Sequence, residues 1–143
     1  MQKLIELGRI IALDYGKVRT GIAVTDPLQL IASGLTTVQS SELIPFLLEY
    51  VKEESISEIV IGEPRQMNHM HSEAEPLIQK FLVKLKNAFP DIPVHRQDER
   101  FTSKLALESL IASGVKKKDR REKGVIDEVS ATLILQGYLE RKK

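Results

Sequence analysis

Asp14 closes an apolar run, Ile10-Ile11-Ala12-Leu13, and is followed two residues later by Gly16. Four consecutive apolar residues are too few for a helix and match a strand buried on both faces. A carboxylate directly after such a run stands at the carboxyl end of a central strand, the rim where open α/β sheets hold their ligands. Gly16 removes a side chain where a bulky group such as a phosphate would approach the backbone. Taken alone, Asp14 reads equally well as a solvated turn acid, so its meaning depends on other carboxylates converging on it. Glu63 follows the run Glu58-Ile59-Val60-Ile61-Gly62, Asp98-Glu99-Arg100 follow Pro93 to Gln97, and Asp127 shares a stripe with Ala131, Ile134 and Tyr138. That i, i+4, i+7, i+11 spacing turns the stripe toward the sheet. A carboxylate on such a stripe is costly unless it is paired, protonated or bound to a cation. Acids crowded at one edge repel one another and ask for a cation. Oxygen ligands without His or Cys suit Mg²⁺ or Mn²⁺ rather than Zn²⁺. Two such ions about 4 Å apart activate a water and stabilise the leaving oxygen of a phosphodiester. The structural alternative is that these acids pair with Lys17, Arg65, Arg96 or Arg100.

These acids need elements that bring them to one edge. Strand one, about Arg9 to Asp14, is followed by a second apolar run, Gly21 to Thr25, and after Asp26-Pro27 by a threonine-rich run, Ala32 to Val38. Links this short predict an antiparallel meander, since a parallel crossover takes about a dozen residues or more. Ser40-Ser41 opens a helix with Leu43, Phe46, Leu47 and Val51 at apolar positions, and Pro45 is tolerated in its first turn. Glu58 to Gly62 is a short buried strand. A polar loop, Glu63 to His71, leads to a helix with Ile78, Phe81, Leu82, Leu85 and Phe89 at helical spacing. Ser72 and Glu75 form a capping-box pattern at its start. Pro93 to Asp98 reads as an edge strand, being too polar for a sheet centre. Thr102 caps a helix through Ile111 that stops at Gly114, and Val125 to Glu140 forms the last helix. The order βββαβαβαα, read as one domain over residues 1–143, is that of the ribonuclease H-like fold. This is an α/β class with a mixed five-stranded sheet, order 3-2-1-4-5, flanked by helices. Strand one is central in it, and strands four and five end at the rim that holds Asp14.

Composition narrows the chemistry further. The chain has 143 residues, 42% hydrophobic and 29% charged, as in an ordinary globular domain. With no cysteine, disulfides, thiolate metal sites and a cysteine nucleophile are excluded. No apolar run approaches membrane-spanning length and Met1 to Gly8 lacks a signal-peptide pattern, so the expectation is a cytoplasmic protein without a membrane partner. The net charge of +1 hides an uneven distribution: Lys116 to Lys123 carries six basic residues against Asp119 and Glu122. That run immediately precedes the Asp127 helix, where it would hold a nucleic-acid backbone; a solvated linker has the same composition.

Five motifs, in order along the chain, carry a resemblance. They are Leu13-Asp14-Tyr15-Gly16 with Gly21-Ile22-Ala23-Val24, Gly62-x-Pro64, Asp98-Glu99-Arg100-Phe101-Thr102-Ser103, and Lys123-Gly124-Val125-Ile126-Asp127. Together they resemble the YqgF family, also called RuvX, nucleases of pre-16S rRNA related to the Holliday junction resolvase RuvC. The resemblance implies a metal-dependent phosphodiesterase that trims the 5′ end of the 16S rRNA precursor, with the acidic triad at Asp14, Glu99 and Asp127. One segment departs from the pattern. Where family members show Gly-Leu-Pro and an Asn-Met-Asp-Gly turn, this chain reads Gly62-Glu63-Pro64-Arg65-Gln66-Met67-Asn68-His69-Met70-His71. Glu63 is therefore an added acid, at the strand end where the resolvase relatives carry a catalytic glutamate. It is a candidate metal ligand beside Asp14, Glu99 and Asp127, or a partner for Arg65.

Candidate nucleic-acid contacts are Lys17, Arg19, Arg65, Arg100, Lys117, Lys118, Arg120, Arg121 and Lys123. His69-x-His71 reads as an exposed loop pair, because two alternate residues make no closed metal site, and His95 reads as solvated. Four Phe, three Tyr and no Trp argue against an extensive base-stacking platform. The expected partner is a ribosomal RNA precursor or another structured nucleic acid, met free or on a pre-ribosomal particle by a monomer or homodimer. Two alternatives stand beside the rRNA nuclease: a resolvase-like DNA endonuclease, and a ribosome assembly factor that binds nucleic acid without cutting it.

Overall fold

A computed structural model describes residues 7–64, 74–98 and 123–142. The expectations for Arg65, His69, His71, Glu99, Arg100, Lys117, Lys118, Arg120, Arg121, the side chain of Lys123 and the helix from Thr102 lie outside the described residues. Strands β1 (Arg9–Tyr15), β2 (Arg19–Thr25) and β3 (Ala32–Gln39) form the expected meander. A 3-10 turn, Ser40–Glu42, then leads into helix α1 (Leu43–Glu53), and Pro45 falls in its first turn. Next come β4 (Ile56–Glu63), α2 (Glu75–Ala88), β5 (Val94–Asp98) and the last described helix, α3 (Lys123–Lys142). The sheet order is β3-β2-β1-β4-β5, with β4 parallel to β1 and β5 parallel to β4. Strand one is thus central, and its run Ile10 to Leu13 is fully buried, as a strand covered on both faces must be.

Alternation along β1 divides the core in two. Ile11 and Leu13 pack with Ile22, Ile59 and Ile61 against α1 and α2, through Leu43, Leu47, Ile78, Phe81 and Leu85. Ile10 and Ala12 pack with Ala23 and Val60 against Ala131, Ile134, Leu135 and Tyr138 of α3. Ala12, Ala23 and Gly21 leave little side chain on the α3 face of β1 and β2 near the rim, so the helix comes close to the sheet there.

The start of α2 differs from the capping-box expectation. The helix begins at Glu75, with Ala74 at the N-cap position, which has no side chain able to cap; Ser72 lies outside the described residues. The Glu75 carboxylate instead faces the sheet, where Arg96 Nη2 and Nη1 donate to its two oxygens at 2.8 and 3.1 Å. The same guanidinium donates to the carbonyls of Ile61 and Gly62 at 3.3 and 2.9 Å, tying β5, the end of β4 and α2 together. This explains the polarity of β5: it is the sheet edge, and its charged side chain is spent on a fork-shaped pair that only a guanidinium can make. Among the described residues no helix is long and apolar enough to cross a membrane.

Candidate active site

Asp14 alternates with Ile10 and Ala12, so it projects toward the face covered by α3. Ala131, Ile134 and Tyr138 are buried, so the stripe that carries Asp127 does lie on the sheet. Helix α3 reaches the rim because glycines admit it. Gly21 pairs with Asp14 across the β1–β2 ladder, and a Cβ on Gly21 would stand 2.0 Å from the carbonyl oxygen of Asp127. Thr37 Oγ1 of β3 donates to the Gly124 carbonyl at 2.7 Å, holding the first turn of the helix in place. Asp14 and Asp127 consequently line one cleft of about 280 Å³, together with Gly16, Lys17, Val18 and Arg19.

Arg19 meets the Asp127 carboxylate through its Nε, at the mouth of this cleft. Arg19, expected from the sequence as a nucleic-acid contact, lies on the same β2 face as Gly21 and pairs with Asp127. One residue on, burial and then the charge of Asp127 push the Glu128 carboxyl above its ordinary range. Gly16 needs a different account from the one expected. A Cβ there would stand 2.7 Å from the Arg19 carbonyl oxygen, so the tight β1–β2 turn itself requires glycine. Ser40 fixes that turn, its Oγ donating to the Gly16 carbonyl at 2.5 Å and its N–H to the Val18 carbonyl at 2.8 Å. Lys17 and Val18 are left exposed at the tip.

Glu63 ends β4 in register with Asp98 of β5. By alternation Glu63 shares the face of Ile59 and Ile61, the α1–α2 side, opposite to the side Asp14 takes. Glu99 follows β5 by one residue and lies outside the described residues. Among the described residues no group of three or more His, Asp or Glu side chains is arranged to hold a metal ion, so Asp14 and Asp127 are the part of the acidic set that the described structure brings together. Their donors are all carboxylate oxygens, and Asp127 already takes a guanidinium as counterion. Such a set fits a hard divalent cation such as Mg²⁺ or Mn²⁺.

His95 is not simply solvated. Its Nε2 lies 3.1 Å from Glu58 Oε1, and its ring stacks on Tyr138 at 5.6 Å. Tyr138 Oη donates to the same Glu58 oxygen at 2.6 Å, and Lys142 pairs with the other oxygen. No sequence spacing linked these residues, since the contact joins β4, β5 and the far end of α3. They anchor α3 at the end opposite to Asp127.

A five-stranded sheet in this order, with an acidic cleft where β1 ends, defines a ribonuclease H-like protein. Two solved structures share its fold. The RuvC of T. thermophilus in complex with a Holliday junction substrate superposes with a TM-score of 0.54 at 18% identity, covering 94% of each chain. The Fowlpox virus resolvase, in complex with Holliday junction DNA, gives 0.54 at 9% identity over 94% of this chain and 98% of its own. The RuvX family, described as Holliday junction resolvase, matches residues 8–141, and the chain belongs to that family. A relative from Flavobacterium psychrophilum is 54% identical over 94% of this chain and 98% of its own. One from Phocaeicola vulgatus is 53% identical over 96% and 99%. Both bear the name "Putative pre-16S rRNA nuclease".

Proposed function

We propose that the chain is a metal-dependent nuclease that processes the 5′ end of pre-16S rRNA in the cytoplasm, with Asp14, Glu99 and Asp127 as its acidic set. The observation that carries this reading is the meeting of Asp14 and Asp127 in one cleft at the carboxyl end of the central strand. Membership of the RuvX family and relatives named for pre-16S rRNA support the substrate. Bound Mg²⁺ or Mn²⁺ supplies charge neutralisation and an activated water at such a set. The chain's own part is to fix the acids and to draw in the phosphate. Gly21 lets α3 deliver Asp127 beside Asp14, Arg19 balances the charge of Asp127, and Lys17 stands exposed at the cleft wall to attract an anionic backbone. Glu63 is a weaker candidate ligand because it alternates to the other face of β4.

The test is to deplete the protein in cells and sequence the 5′ ends of small-subunit rRNA, with rescue by the wild-type or Asp14→Asn chain. Extended ends that only the wild type corrects support the reading, and mature ends after depletion remove it. A second reading, Holliday junction cleavage, is favoured by the family's description and by the resolvase folds. Symmetric junction cutting needs two active sites related by a dyad. A dimer that cuts synthetic four-way junctions faster than the RNA would support it.

A further inference from the structure

A second cavity opens on the other face of the same rim, between α1 and α2. It holds about 340 Å³, and its polar wall includes Lys17, Ser40, Ser41, Lys80 and Lys84, with no carboxylate lining it among the described residues. Helical spacing places Lys80 and Lys84 four residues apart on one exposed stripe of α2. Between them Phe81 turns inward and stacks on Tyr15 at 4.5 Å, which pins that stripe to the end of β1. The three lysines are exposed, and among the described residues none of them is in an ion pair. Elsewhere the exposed Lys52 of α1 does have a partner, Glu49 at 3.0 Å. Three uncompensated ammonium groups around one concavity concentrate positive potential there and favour a polyanion. Lys17 lines both this groove and the acidic cleft, so the two are continuous over the β1–β2 turn.

We propose that the groove binds the phosphodiester backbone of the RNA strand adjoining the cut. Lys17 guides the strand over the turn, and Lys80 and Lys84 each take a phosphate. The identity of the ligand rests on the nuclease reading above; the electrostatic site does not.

The test measures binding of a fluorescently labelled RNA spanning the 5′ junction of pre-16S rRNA, over a series of salt concentrations, by the wild type and the Lys80→Gln/Lys84→Gln double variant. Loss of two phosphate contacts lowers the slope of log affinity against log salt by about 1.4 for a single strand and weakens binding on the order of tenfold near physiological salt. Hydrolysis of bis(p-nitrophenyl) phosphate, too small to reach the groove, stays at the wild-type rate. Unchanged affinity and slope in the double variant overturn the proposal, and so does an equal loss of small-substrate hydrolysis. Wild-type protein that binds the RNA through these lysines but cleaves neither substrate would overturn the nuclease reading and leave the groove standing.

Discussion

Gly21 lies directly beneath the backbone of Asp127, so close that a Cβ on the glycine would stand 2.0 Å from the aspartate's carbonyl oxygen and 2.3 Å from its carbonyl carbon. The atoms in the way are helix backbone, which cannot rotate aside as a side-chain tip can. Gly21 also pairs with Asp14 in the β1–β2 ladder, so its missing side chain lets the Asp127 backbone come down beside Asp14.

Gly21→Ala should therefore lift the first turns of α3 off the sheet. Overpacking of this kind costs about 1–3 kcal/mol, read as a lower denaturation midpoint, and cleavage should fall with it. Gly124→Ala is the control: among the described residues the nearest atoms to a Cβ there are Thr37 side-chain atoms at 3.7 Å or more, and stability should stay within about 1 kcal/mol of wild type. Equal effects from both substitutions would contradict the packing argument.

Arg19 and a divalent cation make the same demand on the Asp127 carboxylate. Arg19→Gln should lower the Mg²⁺ concentration needed for half-maximal cleavage at saturating RNA, on the order of threefold, because about 0.6 kcal/mol of competition is removed. A higher Mg²⁺ requirement would show that Arg19 supports the metal site rather than competing with it.

Glu75 and Arg96 form a largely buried, two-pronged pair, with side chains 11% and 20% exposed. Glu75→Gln leaves the guanidinium without its counter-charge and should cost about 3 kcal/mol in urea unfolding. Adding Arg96→Met should recover part of that loss, since the stranded charge is then gone. A double variant less stable than Glu75→Gln by the full single-site cost of Arg96→Met would show that the two do not act as a pair.

Tyr138 links α3 to Glu58, and its hydroxyl is pushed up to about 12, by burial first and then by its hydrogen bond to that carboxylate and the carboxylate's charge. The fold thus favours the protonated phenol. This stabilisation is complete below the unfolded value of 10.0 and is lost as pH rises toward about 12. Tyr138→Phe should cost about 1.5–3 kcal/mol at neutral pH and should flatten the alkaline loss measured by thermal melting. Glu58 behaves oppositely. Burial pushes it up, yet hydrogen bonds from Lys142 and Tyr138 outweigh that and hold it below its ordinary value. Its contribution is accordingly present at neutral pH and lost on acidification.

The architecture was legible because it rests on local signals. The buried run Ile10 to Leu13, the short links around Arg19 to Val38 and the 3.6-residue spacing of Ile78, Phe81, Leu82 and Leu85 each admit few placements. The place of Asp14 at the end of β1 follows from topology, and the stripe of Asp127 with Ala131 and Tyr138 lies on the sheet as its period requires. Contacts made by side chains from distant segments were not legible. Arg19 opposite Asp127, Arg96 on Glu75 and His95 on Glu58 are set by sheet register and helix height, which no linear spacing encodes. Gly16 shows a related limit: a glycine in a tight turn and a glycine beside a ligand look alike in sequence, and only the Arg19 carbonyl, 2.7 Å from where a Cβ would stand, reveals the demand of the turn.

Whether Asp14 organises a phosphodiester-cleaving centre is decided by cleavage of an end-labelled pre-16S rRNA fragment by purified wild-type and Asp14→Asn proteins with Mg²⁺. The expected result is Mg²⁺-dependent trimming by the wild type, abolished by chelation, and a loss of about a hundredfold or more in the variant, equivalent to at least about 2.7 kcal/mol of transition-state stabilisation, with thermal stability retained. An Asp14→Asn protein that trims the RNA at the wild-type rate would contradict it.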